Sequence, residues 1–172
     1  MITLLVTVDG SDAAAAAARH AAFLFREGSV ARVVLLNVQE SLQHGRTVAF
    51  RSLGDQRELA RRHGESELGE ARDILEDSCV AYTAVIGVGA IVPTILRVAE
   101  ASQCDGIVLG TTFWSRLNAC FGGGLPARLM RRARVPVTLV RAPRVVGCGD
   151  GMATRASRLT QRRPATMLPA AG

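Results

Sequence analysis

The feature that most limits what this chain can become is a recurring pair: a short, continuously apolar run, then a longer stretch with helical spacing. Arg32 to Val38, RVVLLNV, shows no in-and-out alternation, and Ile107 to Leu109 runs unbroken into Gly110. A strand that alternates leaves one face to water, whereas an unbroken apolar strand is covered on both faces, as in parallel sheets. Ile2 to Val8, Val80 to Val88 and Pro136 to Val140 read as three further strands. The helix from Asp12 to about Arg26 opens on a run of alanines, which favours helix and allows close packing on a sheet. From about Gly54 to Ser78, Leu68, Ala71, Ile74 and Leu75 form one stripe, with Arg61, Arg62, Glu65, Glu67 and Glu70 elsewhere. A third helix packs through Ile95, Val98 and Ala99 and carries Pro93 in its first turn, where the missing N–H is harmless. The fourth shows Leu125, Leu129 and Ala133 at four-residue spacing. Five strands alternating with four helices within residues 1–142 call for an α/β fold, a five-stranded parallel sheet with right-handed crossovers and helices on both faces.

A chain of 172 residues accommodates one such domain with enough interior to be stable alone. Past Pro143 the Gly, Ala, Arg, Pro and Thr content has little periodicity, so residues 143–172 are expected to form a disordered basic tail. The net charge of +6 is carried entirely by arginine. In the tail Arg144, Arg155, Arg158, Arg162 and Arg163 face Asp150 alone, which leaves the folded part only mildly basic. Arg128, Arg131, Arg132 and Arg134 cluster on the last helix, but no aromatic platform or reading motif accompanies them, and nucleic acid is not an expected partner. Cys79, Cys104, Cys120 and Cys148 are scattered without C-x-x-C spacing, so neither a metal site nor a disulfide framework is expected, and reduced thiols point to the cytoplasm. Met1 to Asp9 has no basic leader and no apolar run reaches the roughly 20 residues of a membrane span, so no membrane association is expected.

Asp105 to Arg141 reads as strand, loop, basic helix and strand. The loop leaves the carboxyl end of a central strand, where open α/β sheets place ligands. Thr111 and Thr112 offer hydroxyl donors, and Gly122, Gly123 and Gly124 introduce a helix start that can aim N–H groups at an anion. This stretch resembles the universal stress protein family, whose nucleotide loop follows G-2x-G-9x-G-[ST], then a helix and a P-V strand. Gly110 takes the first position, Phe113 stands where the second glycine belongs, Gly123 takes the third and Gly124 replaces Ser or Thr; Pro136 and Val137 follow at the expected distance. The segment GVGAIVPTILRVAEASQCDGIVLG is likewise similar to the family's third strand, helix and fourth strand.

The resemblance implies an adenine nucleotide alpha hydrolase-like, Rossmann-like sheet with strand order 3-2-1-4-5, and a homodimer formed through the edge strand Pro136 to Val140. It implies a pocket for ATP or AMP built from Asp9, Val38, Gly110, Thr111, Thr112, Gly122, Gly123 and Gly124. Asp9 would hydrogen-bond the adenine, though a turn-forming aspartate is an equal reading. The backbone of Val38 would meet the adenine edge. Phe113-Trp114-Ser115-Arg116-Leu117 is similar to the branch of the family that lacks the nucleotide motif, and a ring at residue 113 would block phosphate from bare main chain.

Three functions are therefore weighed. The first, and the expected one, is a cytoplasmic stress-response binding or regulatory module with weak or lost nucleotide binding and no catalysis. The second is an ATP- or AMP-binding member with at most slow hydrolysis, for which no dedicated magnesium ligand or water-orienting residue stands out. The third, a thiol enzyme using Cys104 or Cys120, lacks the partner an activated thiol needs. His44 stands alone, with no acid or nucleophile beside it.

Overall fold

The computed structural model describes residues 2–40, 53–111, 124–142 and 166–168. In chain order these form β1 (Ile2–Thr7), α1 (Asp12–Arg26), β2 (Val30–Gln39), α2 (Leu53–Asp77), β3 (Tyr82–Val88), α3 (Ile91–Ala101), β4 (Gly106–Thr111), α4 (Leu125–Met130), β5 (Val137–Arg141) and β6 (Thr166–Leu168). Every ladder is parallel, and the order across the sheet is β5-β4-β1-β2-β3-β6. The expected five strands thus stand in the order 3-2-1-4-5.

Helices cover both faces because the strands are apolar on both. Leu4, Val6, Val33, Leu35 and Ile86 point toward α1 and α2, together with Leu68, Ala71 and Leu75. Leu5, Val34, Leu36, Ile107 and Leu109 point the other way, toward Val92, Ile95 and Val98 of α3 and Leu129 of α4. Ala13 to Ala18, Ala21 and Ala22 of α1 are all buried, so this helix lies close against the sheet and α2 on nearly every side.

The helix ends share one solution. At the C-terminal ends of α1, α2 and α3, Gly28 (φ 73°), Cys79 (φ 53°) and Gln103 (φ 50°) take the left-handed conformation. In each case the next residue donates back five positions, Ser29 to Leu24, Val80 to Leu75 and Cys104 to Ala99, at 3.1, 2.9 and 2.8 Å. This use of Val80 explains why β3 begins at Tyr82 and not at Val80 as expected. The last strand likewise runs Val137–Arg141, because Pro136 has no N–H to pair and contributes only its carbonyl, to Ile107 N at 2.9 Å.

The tail departs from expectation at three residues. Thr166, Met167 and Leu168 pair in parallel with Val85, Ile86 and Gly87, adding a sixth strand to the sheet. TML carries no strand period of its own; the free edge of β3 supplies the template. The remainder of 143–172 lies outside the described residues, as do His44 and most of the loop expected between Gln39 and Leu53.

Candidate functional site

The carboxyl ends of β1, β2 and β4 open into a pocket of about 360 Å³. It lies where the sheet's winding reverses, since β1 sits between β2 and β4, the place where open α/β sheets form a crevice. Thr7, Asp9 and Ser11 form one wall, Leu36 and Val38 the second, and Leu109 with Gly110 the third, while Ile91, Ile95, Leu125 and Pro126 approach from α3 and α4.

The β1–α1 turn is built around two side chains. Ser11 caps α1 by accepting from Ala14 N at 3.2 Å, and its own N–H and hydroxyl donate to Asp9 Oδ1 at 3.2 and 2.5 Å. Asp9 therefore shapes the turn through one oxygen, while its Oδ2 has no hydrogen-bond partner among the described residues. The positive end of α1 faces the pocket beside it. Asp9 is the one charged side chain among the described lining residues, and no cation joins it.

Gly110 does more than leave room for a ligand. A Cβ built there would lie 2.1 Å from Ala13 O and 2.6 Å from Ala14 N, so β4 ends pressed against the main chain of α1's first turn. The glycine is required by close approach. Gly124 is the N-cap residue of α4 and offers no side-chain cap, and Pro126 removes one N–H from that helix's first turn.

The pocket thus gathers Asp9, Val38, Gly110 and Gly124 from the expected set. Thr111 does not line it: the side chain is buried and its hydroxyl donates to Val140 O at 3.4 Å, tying β4 to β5. Thr112, Gly122, Gly123 and the aromatic pair Phe113 and Trp114 lie outside the described residues. So do Cys120 and Cys148. Burial pushes the Cys104 thiol up to about 11, with Arg32 pulling weakly the other way, so it stays protonated at neutral pH and is a poor nucleophile.

One polar cluster went unread in the sequence. Asn37, the single polar residue from Val33 to Val38, is buried on the α2 side of β2 and donates to Val8 O at 2.8 Å and Glu67 Oε2 at 2.6 Å. Gln39 Nε2 adds donations to Glu67 Oε2 at 2.8 Å and Asn37 Oδ1 at 2.7 Å. The bond to Val8 braces the end of β1 directly before Asp9. Gly64 lets α2 come this near, for a Cβ there would lie 2.9 Å from Asn37 Oδ1. A polar residue inside an otherwise apolar run was the available signal.

Beyond this geometry, the model of the Universal stress protein family matches residues 1–141. The chain belongs to the universal stress protein family. A universal stress protein of Methanocaldococcus jannaschii is 27% identical over 143 residues, 82% of each chain. Among solved structures, a universal stress protein in complex with cAMP superposes with TM-score 0.63 at 19% identity, covering 83% of this chain and 98% of the other. A universal stress protein family protein of Arabidopsis thaliana with AMP bound gives TM-score 0.58 at 17% identity, covering 84% and 94%. At such identities the structural likeness establishes the universal stress protein fold. Among the described residues, no helix is long and apolar enough to cross a membrane.

Proposed function

We propose that this universal stress protein is a cytoplasmic, homodimeric stress-response module that holds an adenine mononucleotide weakly and acts by binding, not by catalysis. The observation that carries the reading is the pocket of about 360 Å³ that joins Asp9, Val38, Gly110 and Gly124 at the sheet's switch point. Its size lies near the lower bound of about 300 Å³ for small-molecule sites, enough for a nucleoside with little beyond it. Apolar walls from Leu36, Val38, Ile91 and Ile95 suit a flat base, and Asp9 Oδ2 supplies an acceptor for an amino or hydroxyl group. The bound cAMP and AMP in two fold relatives favour the same ligand class.

Weakness enters at the phosphate end. No described lining residue is cationic, Pro126 withholds a donor, and Phe113 replaces a glycine of the family pattern. Isothermal titration of the full chain and of Phe113→Gly with AMP, cyclic AMP and ATP tests the reading. The native protein should bind AMP and cyclic AMP with Kd on the order of 0.1 mM, about −5.5 kcal/mol, and ATP no more tightly. Phe113→Gly should gain about tenfold or more for ATP, about 1.4 kcal/mol. ATP retained by the native protein through purification overturns the weak-binding reading; no heat with any nucleotide in either form overturns the pocket assignment.

A further inference from the structure

Asp9 supplies the pocket's charge, and both of its chain neighbours are held by one residue of α2. Before it, Val8 O accepts from Asn37 Nδ2 at 2.8 Å, and the same nitrogen donates to Glu67 Oε2 at 2.6 Å. After it, Gly10 lies against Glu67 itself: a Cβ built there would stand 3.3 Å from Glu67 Cγ and 3.6 Å from Glu67 Cα. Gly10 takes φ 73° as well, so the position needs glycine both for its left-handed backbone and for the closeness of α2. Glu67 thereby fixes the main chain on either side of Asp9, while Ser11 fixes the turn of the carboxylate through Oδ1. Together they determine where Oδ2 stands.

Glu67 does not touch what the pocket holds. Alternate residues of a strand face opposite sides of the sheet. Leu36 and Val38 line the pocket, so Asn37 between them, with Glu67 bonded to it, belongs to the other face. The cluster there admits one arrangement. Asn37 Nδ2 gives its two hydrogens to Val8 O and Glu67, and Gln39 Nε2 gives its two to Glu67 Oε2 at 2.8 Å and Asn37 Oδ1 at 2.7 Å. A carboxylate and a main-chain carbonyl only accept, so Asn37 must turn its amino end toward both. His63 Nε2 stands 3.6 Å from the other carboxylate oxygen, Oε1. Asn37 is buried, and a donor left unmet there is costly. Removing the carboxylate therefore obliges Asn37 to rearrange, and takes from Val8 and Gly10 their common support.

We propose that Glu67 is a positioning residue for the pocket: through Asn37 and Gly10 it sets where Asp9 Oδ2 stands, and with it the preference for a base bearing an exocyclic amino group. The inference rests on the reading of the pocket as an adenine nucleotide site and adds a specificity determinant on the opposite face of the sheet. Because Glu67 governs the placement of one acceptor, its loss should remove what the amino group contributes and leave the rest of the ligand's affinity in place.

Nuclear magnetic resonance titration of the full chain with AMP and with purine riboside 5′-monophosphate, which lacks the 6-amino group, tests it. The native protein should prefer AMP by about tenfold, the scale of a hydrogen bond to a charged group, and Asp9→Ala should abolish the preference. Glu67→Ala should cut the preference about threefold or more by weakening AMP alone. The preference is a ratio within one protein, so a smaller folded fraction cancels from it. Glu67→Gln keeps an acceptor for Asn37 and Gln39 and should keep the native preference. In the Asp9→Ala background, Glu67→Ala should change neither affinity. In the native chain, AMP should shift the side-chain amide resonances of Asn37 and Gln39 while purine riboside 5′-monophosphate leaves them in place, a readout that needs no variant to fold. A native preference that survives in Glu67→Ala, or amide resonances unmoved by bound AMP, overturns the positioning role. A loss in the double variant as large as in Glu67→Ala overturns action through Asp9. Equal native affinity for the two nucleotides overturns the adenine reading itself, and the inference with it.

Discussion

Gly110 shows how one residue can satisfy a motif for a reason other than the motif's chemistry. Its position at the head of the G-2x-G-9x-G pattern suggests a ligand contact, and it does line the pocket. The tighter demand comes from behind, where an added Cβ would overlap the Ala13 carbonyl at 2.1 Å. Main-chain atoms cannot swing aside as a side-chain tip can, so relief requires α1 and β4 to separate. Gly110→Ala should therefore destabilise the fold by about 3 kcal/mol, the upper part of the usual overpacking range, read from the urea midpoint at unchanged slope. A variant of native stability that merely loses nucleotide would assign Gly110 to the ligand alone.

At the scale of elements, the ends of α1, α2 and α3 offer a controlled comparison. All three close with a left-handed residue and a bond back five positions, but only α1 uses glycine there. A side chain in that conformation costs about 1–2 kcal/mol, and glycine's freer unfolded chain offsets part of any gain. Gln103→Gly should accordingly stabilise by about 0.5–1 kcal/mol and Gly28→Ala should destabilise by a similar amount in equilibrium unfolding; opposite signs would mean that the Gln103 side chain holds the turn. The same comparison shows what the sequence made legible. Unbroken apolar runs announced five parallel strands, and resemblance ordered them, because burial on both faces leaves a local mark. Helix stops at Cys79 and Gln103 left none, since neither residue advertises positive φ. The Thr111 hydroxyl's bond to Val140 O was not legible either, because composition does not show which acceptor a hydroxyl will meet. Asn37 could not be read as a brace for Val8 without its partner Glu67, thirty residues away. Nor could TML be read as a strand, because its pairing depends on a β3 edge formed elsewhere in the chain.

On the scale of the whole molecule the sheet is asymmetric. The β3 side is closed by β6, while β5 has no strand outside it among the described residues and exposes Leu139 at 43%, with Met130 of α4 at 50%. An open apolar edge invites lateral pairing, and pairing of two identical copies about a two-fold axis sets the strands antiparallel, each residue meeting its counterpart. In Val137–Arg141 the central residue is Leu139, so the axis would pass beside it and Leu139 would face its own copy. Leu139→Arg then removes an apolar contact and sets two like charges across the axis, whereas Leu139→Ala only removes the contact. Sedimentation equilibrium should find the native chain dimeric. Leu139→Arg should weaken the dimer by about tenfold or more, partly recovered in high salt, and Leu139→Ala should weaken it less. Met167→Pro, acting at the opposite edge, should leave association unchanged. A native monomer, or a dimer indifferent to Leu139→Arg but lost in Met167→Pro, would move the subunit contact from β5 to the tail.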